Sequence, residues 1–228
     1  MTQNQWDDYS SIFNHDDLTV AFSNRNFSVE GKSGHISFVS AVGLDPDKLA
    51  FPKQIHSGHV EIVYHPGIFP NTDGVISPGG SFNCSVQVAD CLPVFLTNPK
   101  SRTVGLVHAG WRGLVLKILP NTINSILQIG ESLSDYTIVI GPSIQACCFE
   151  VRNDIIDQFD PTFYMKNSKN RFSVDLQKWA VQQLVDSGII RSRILLIDKC
   201  TFCNQNEYHS YRRNGPKAGR MIAIIGWR

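Results

Sequence analysis

Residues 85–113, SVQVADCLPVFLTNPKSRTVGLVHAGWRG, constrain this chain more than any other stretch. They read as two apolar strands, each delivering one reactive side chain at its edge. Val86 and Val88 lead into Ala89-Asp90-Cys91, while Val104, Leu106 and Val107 lead into His108-Ala109-Gly110-Trp111-Arg112-Gly113. If the two strands pair, a thiol and an imidazole 17 positions apart meet. The small residues Ala89, Ala109 and Gly110 leave room beside both groups.

Around that stretch the chain alternates short extended runs with a few helical ones. Residues 1–17 are polar and read as a loose tail, 18–22 as a strand, and 23–34 as a Ser/Asn/Gly-rich loop carrying Arg25. Residues 35–44 fit a short helix or a strand equally well. Strands are expected at 49–55 and 60–64, flanking Gln54-Ile55-His56-Ser57-Gly58, with a loop at 66–71 and another extended run at 73–77. Residues 114–129 carry helical periodicity, with Pro120 as a kink or break. A strand at 136–140 follows, then a short acidic helix at 153–159 with Asn153 as its cap. The clearest amphipathic helix is 174–187, where Leu176, Trp179, Ala180 and Leu184 share a face and Gly188 stops it. Closing strands are expected at 194–197 and 221–225, the latter wholly apolar and therefore internal.

No repeat or linker divides the chain, so residues 1–228 read as a single α/β domain of mixed sheets with helices. Strands follow strands too often for a doubly wound sheet or a TIM barrel. Charged residues make up 18% of the sequence and the net charge is +1, which gives no field for nucleic acid or an acidic membrane. No apolar run is long enough for a transmembrane helix, and the polar, acidic N-terminus is unlike a signal peptide. The six cysteines therefore read as reduced thiols of a cytoplasmic protein. Neither a dinucleotide-binding glycine motif, nor a P-loop, nor H-E-x-x-H is present.

His56, Cys91 and His108 are the candidate metal ligands, because two imidazoles and a thiolate satisfy zinc and leave a fourth position open. Their separations of 35 and 17 positions acquire meaning only if three strand ends converge. Taken alone, the same residues also read as a hydrogen-bonded core histidine and a small buried thiol. Asp90 can orient an imidazole, accept a proton or cap a turn, and Asp73 in Thr72-Asp73-Gly74 is open to the same readings. Cys200-x-x-Cys203 ranks below this triad, since it lacks a second C-x-x-C and enters a polar segment rather than a helix. Cys147 and Cys148 are adjacent, so they are not expected to chelate one ion comfortably, and they read as structural. Arg212 and Arg213 lie in a cation-rich segment that suits phosphate or a solvated loop, and Arg112 sits at an expected helix start.

Seven segments in order, QIHSGHV (54–60), TDGVIS (72–77), ADCLPVFL (89–96), VGLVHAGWRG (104–113), GPSIQACCFEV (141–151), CT (200–201) and SYRRNG...GR (210–220), resemble the YfiH-like laccase-domain family. That family is also called multicopper polyphenol oxidase or purine nucleoside phosphorylase. The resemblance implies an α-β-β-α arrangement similar to cysteine-hydrolase-like folds. It places metal ligands at His56, Cys91 and His108. It implies zinc, with copper as an in-vitro occupant, and phosphorolysis of adenosine, inosine or methylthioadenosine or deamination of adenosine. The partners are then a nucleoside and phosphate, not nucleic acid or membrane. Gln54, Asp73, Arg25, Arg112, Arg212 and Arg213 become substrate- or phosphate-binding candidates beside the catalytic set His56, Asp90, Cys91 and His108. Two departures stand out: Ser57 intervenes between His56 and Gly58, and the early glycine-rich segment after Arg25 is missing.

Two other chemistries compete. In a Cys-His amidase, Cys91 is nucleophile, His108 base, and Asp90 or Asp73 the orienting group. A laccase needs several coppers and more histidines than the seven present, none of them in His-x-His.

Overall fold

The computed structural model describes residues 4–27, 31–167 and 171–228. Strands β1 (Trp6–Asp8) and β2 (Leu18–Ser23) precede helix α1 (Gly31–Ala41). Four short strands follow: β3 (Leu49–Lys53), β4 (Val60–Ile62), β5 (Gly67–Pro70) and β6 (Gly74–Ser77). The central stretch forms β7 (Asn83–Val88), β8 (Leu92–Asn98) and β9 (Thr103–Ala109). Helices α2 (Trp111–Val115) and α3 (Ile118–Gln128) lead to β10 (Thr137–Ile140). Then come β11 (Glu150–Val151), β12 (Tyr164–Lys166), β13 (Phe172–Val174) and helix α4 (Leu176–Asp186). The chain closes with β14 (Ile194–Leu196), α5 (Tyr211–Asn214) and β15 (Met221–Trp227).

Among the described residues these strands make two six-stranded mixed sheets, ordered β1-β2-β15-β7-β3-β5 and β14-β10-β8-β9-β6-β4, plus a small sheet β11-β13-β12. Side-chain alternation stacks them. Along β15, Ile222 and Ile224 pack with Phe38 and Val39 of α1. Met221, Ala223 and Ile225 face the other way, meeting Phe95, Val104, Leu106 and Val139 of the second sheet. The far face of the second sheet, through Leu92, Val94, Leu96 and Val107, packs on Leu114, Ile118, Leu119 and Ile123. The layers are therefore helix, sheet, sheet, helices, the expected α-β-β-α order. Each fully buried Ile, Leu or Phe contributes about 1.5–3 kcal/mol, so the double-faced strands β8, β9 and β15 hold the sandwich together.

Several local expectations are revised. The central stretch makes three strands, not two: β8 separates β7 from β9 and pairs antiparallel with β9, Leu92 opposite Ala109 and Pro93 opposite His108. Residues 66–71 are not a loop, because β5 adds to the edge of β3 in parallel. The tail expected over 1–17 carries β1, paired with β2, and a 3-10 turn at Ser10–Phe13 whose Phe13 is buried. The break in 114–129 falls at Lys117, whose backbone is left-handed (φ 58°). Pro120 lies in the first turn of α3, where a missing N–H costs little. The acidic helix at 153–159 shrinks to a 3-10 turn, Ile156–Gln158, and Asn153 does not cap it. The ambiguous 35–44 segment is helical, and α4 is capped by Asp175, which accepts from the Lys178 N–H.

Candidate metal centre and active site

The two sheets meet at the corner between β7 and β8, and Cys91 sits there. Asp90 turns the chain through a left-handed conformation (φ 86°). Its carboxylate accepts from Thr201 Oγ1 (2.6 Å), Ser210 Oγ (3.0 Å) and the Arg212 N–H (2.6 Å). Asp90 thus fastens the corner to the segment leading into α5, and both of its oxygens are engaged. His108 arrives at the end of β9 and His56 from the loop after β3, and ligand atoms of His56, Cys91 and His108 lie within 4.8 Å of one another.

Asp73 organises the centre. It is fully buried, and one oxygen accepts from His108 Nδ1 (2.8 Å) and the His56 N–H (2.9 Å). The other accepts from the N–H groups of Ile55 (3.2 Å) and Ser57 (2.6 Å) and from Ser57 Oγ (2.7 Å). These bonds hold His56 in a left-handed backbone (φ 62°) that non-glycine residues seldom adopt. Burial opposes the carboxylate, yet the bonds from His108 and Ser57 hold its pKa well below the usual range. Because Nδ1 of His108 is committed to Asp73, Nε2 is the nitrogen left for an ion, the carboxylate–histidine–metal arrangement. Ser57, the departure from Q-x-H-G, is absorbed as an extra donor to Asp73.

Cys91 and His108 act as counter-ions. Burial raises the Cys91 thiol, but His108, reinforced by His56, brings it down to about 6. Burial likewise disfavours imidazolium, but Cys91 and Asp73 raise His108 to about 9. An ion binding here meets a thiol acidified by His108 and displaces a proton that Cys91 and Asp73 favour on that imidazole. The donors fit one ion: a soft thiolate and two imidazoles, with the second imidazole exposed toward solvent. Among the described residues histidine enters only this one ligand cluster, so the several sites of a multicopper oxidase are not assembled.

Gly110 keeps the space between the ligands. A Cβ there would lie 2.9 Å from Cys91 Sγ and 3.2 Å from His56 Cδ2. Its φ of −72° suits any residue, but the methyl overpacks the buried space beside Cys91, so Gly110→Ala is expected to destabilise by about 1–3 kcal/mol. Metal affinity is expected to fall about tenfold or more as the ligands are displaced. Zinc competition with a chromophoric chelator checks this, and unchanged affinity would show that the site tolerates the methyl.

The cluster floors a cavity of about 980 Å³. Trp111, Phe149, Phe51 and Tyr211 supply aromatic surface, and Arg112, Arg212 and Arg220 supply charge. Arg112 lies over Trp111 (4.3 Å) and Arg212 over Phe149 (5.1 Å). Gln54 lines the cavity, but its amide is spent on the Gln87 backbone, donating to its O and accepting from its N at 2.8 Å each. Arg25 and Arg213 are not brought to the cavity. Arg25 donates to the Gln205 carbonyl. Arg213 donates to the carbonyls of Thr201, Phe202 and Tyr208. Their guanidinium groups brace the backbone instead of facing a phosphate. Sequence reasoning missed His35, Phe51, Tyr211 and Arg220 as lining residues. Only Arg220 had a signal, the Gly-Arg after the arginine pair.

His35 is a further consequence of the fold. It is buried, stacked on Phe51 (4.2 Å) and bonded through Nδ1 to Ser85 Oγ (2.7 Å). Burial lowers its pKa to about 4. The neutral form favours the native state, so this contribution is whole above about pH 6.5 and is lost as pH falls toward 4. At about pH 5 the loss is roughly 2 kcal/mol. Urea unfolding at roughly pH 7.5 and pH 5 should show wild type losing about that much more than His35→Gln. Equal losses would show that His35 is not the group responsible.

A thiol and two imidazoles, converging where two stacked sheets meet and flooring an arginine-lined cavity, define a sandwich fold with a candidate metal-binding cluster. The chain belongs to the multi-copper polyphenol oxidoreductase laccase family, whose model matches residues 12–228; that family implies a metal. The chain is 32% identical over 168 residues to "Purine nucleoside phosphorylase YlmD" of Geobacillus stearothermophilus, a match spanning 70% of this chain and 61% of that relative. The chain thus covers less than two thirds of that relative's length. It is 34% identical over 180 residues to a purine nucleoside phosphorylase of Aquifex aeolicus, covering 78% of this chain and 83% of the relative. A protein named "Adenosine deaminase RL5", from an unknown prokaryotic organism, is 25% identical over 207 residues, covering 83% of this chain and 79% of its own. The crystal structure of YlmD from G. stearothermophilus superposes with a TM-score of 0.85 at 22% identity, covering 93% of each chain, which shows the shared fold. Among the described residues no helix is long and apolar enough to cross a membrane.

Proposed function

We propose that this chain is a zinc-dependent purine nucleoside enzyme, cleaving adenosine, inosine or methylthioadenosine with phosphate or deaminating adenosine. The observation that carries the reading is the Cys91–His108–His56 cluster opening into a cavity with both aromatic and arginine walls. The names of the relatives, purine nucleoside phosphorylase and adenosine deaminase, support it. Zinc bound there would supply a Lewis acid and a nucleophile at neutral pH. The remaining roles belong to the chain. Trp111 and Phe149 offer faces for a purine ring, with stacking contacts of about 0.5–1.5 kcal/mol each. Arg112 holds the anionic reactant near the ribose, helped by the guanidinium nitrogens of Arg212 and Arg220 other than Nη1, which already donates to backbone carbonyls. Asp73 keeps the proton on Nδ1 of His108, and Asp90 acts as a positioning residue by fixing the corner that carries Cys91.

The amidase reading rests on the line Cys91, His108, Asp73, in which Asp73 and not Asp90 orients the imidazole. A thiolate engaged by zinc is poorly placed to be a nucleophile, so stoichiometric metal at this cluster removes that reading.

The test is chromatography of adenosine incubated with zinc-loaded protein, with and without phosphate, beside a Cys91→Ala control. Adenine formed only with phosphate establishes phosphorolysis, and inosine in both establishes deamination. Untouched adenosine, inosine and methylthioadenosine in the presence of one zinc at the triad would overturn the proposal.

A further inference from the structure

Four cysteines outside the proposed active site converge. Cys147 and Cys148, adjacent in sequence, and Cys200 and Cys203 of the C-x-x-C place their sulfurs within 4.8 Å of one another. The spacing of the sequence left the C-x-x-C without partners and the adjacent pair unable to share an ion with it; the fold brings the two pairs together. Cys203 Sγ lies 3.8 Å from Cys147 Sγ and 3.4 Å from Cys148 Sγ, and all six cysteines of the chain are free thiols. A tetrahedral zinc ion with bonds of about 2.3 Å holds its sulfurs about 3.8 Å apart. An iron–sulfur cluster, with iron and sulfide between the thiolates, needs wider spacing. The geometry points to a second metal site, a tetrathiolate centre for one zinc ion.

The surroundings are built for it. A parallel bridge joins Ser143 to Cys200, and the Thr201 N–H donates to the Ser143 carbonyl (3.1 Å), so the two cysteine-bearing turns are fastened before any ion arrives. The Cys148 N–H closes one turn on the Gln145 carbonyl, and the Asn204 N–H closes the other on that of Cys200. Backbone N–H groups of Gln145, Cys203 and Phe202 point at the Cys200 sulfur. Two of these come from the second and third residues after Cys200, the pattern of a metal knuckle. Four thiolates around a divalent ion leave surplus negative charge, and two guanidiniums stand beside it. Arg212 donates to the carbonyls of Cys148 and Glu150, and Arg213 to those of Thr201 and Phe202. Zinc uptake is balanced by release of the thiol protons to solvent as the sulfur–metal bonds form, with no redox change. The site fastens the wall of the cavity: Phe149 follows Cys148, and Thr201, next to Cys200, holds Asp90.

The test is metal content and cobalt spectroscopy of the full chain purified under reducing conditions. Cys91→Ala removes the triad, so any ion it keeps reports on the four thiols alone. That variant is expected to hold one zinc, released with four thiols by a mercurial, and to give tetrahedral tetrathiolate cobalt bands on substitution. Cys147→Ser/Cys203→Ser is expected to lose those bands and one zinc relative to wild type. A Cys91→Ala protein without metal, or one whose four cysteines react freely or carry a disulfide as purified, would overturn the proposal even if the double variant did not fold. Absence of nucleoside turnover leaves this outcome unaffected, so the two proposals fail separately.

Discussion

Asp73→Asn is expected to destabilise the protein by about 3–5 kcal/mol and to weaken metal binding about 10–100-fold. The substitution is isosteric, so its effect isolates the hydrogen-bonding role. Both carboxylate oxygens face only donors: two N–H groups and a hydroxyl on one side, His108 Nδ1 and the His56 N–H on the other. An amide must point its NH2 at one of these sets. If it faces His108, the imidazole is driven to the other tautomer and Nε2 is no longer free for the ion. If it faces Ser57, the loop holding His56 in its left-handed conformation loses its bracket. Urea unfolding with zinc competition measures both effects. A loss under about 1 kcal/mol with unchanged affinity would show that Asp73 is dispensable.

Asp90→Ala is expected to cost about 3 kcal/mol or more. Three donors, from Thr201, Ser210 and Arg212, lose their acceptor, and alanine must adopt the φ of 86° that Asp tolerates better. The sharper expectation concerns location. The loss should appear at Cys91 and α5 together, so metal binding and nucleoside KM should both worsen, while Asp90→Asn restores most of the stability. A stability loss with intact metal binding would confine Asp90 to a turn-capping role.

Much of this was legible in the sequence because apolar alternation is strong where strands are buried on both faces. β9 and β15 are apolar runs and read as strands, whereas β8 does not separate from its neighbours, and the pairing of β8 with β9, and of β15 with β2 and β7, is not written in their composition. The triad was legible in residue type, although its convergence depends on long-range pairing that spacing does not encode. What escaped was governed by tertiary context. β5 is a strand only because β3 offers a parallel edge, and its Gly67-Ile68-Phe69-Pro70 reads as a turn in isolation. Arg213 looked like a phosphate ligand because nothing in its sequence foretells the three carbonyls that occupy it. The convergence of the four thiols escaped for the same reason, since their two halves lie over fifty residues apart and meet where the Ser143 segment bridges to Cys200.

The corner at Cys91 has one more consequence. Because the thiolate sits where one sheet hands the chain to the other, while His56 comes from the loop after β3 and His108 from the end of β9, no single strand or turn holds a complete triad. An ion at that centre can recognise only the finished stack, so occupancy reports on assembly rather than on any local segment. The melting temperature of this protein should therefore climb with free metal concentration by mass action, making heat resistance a gauge of metal supply.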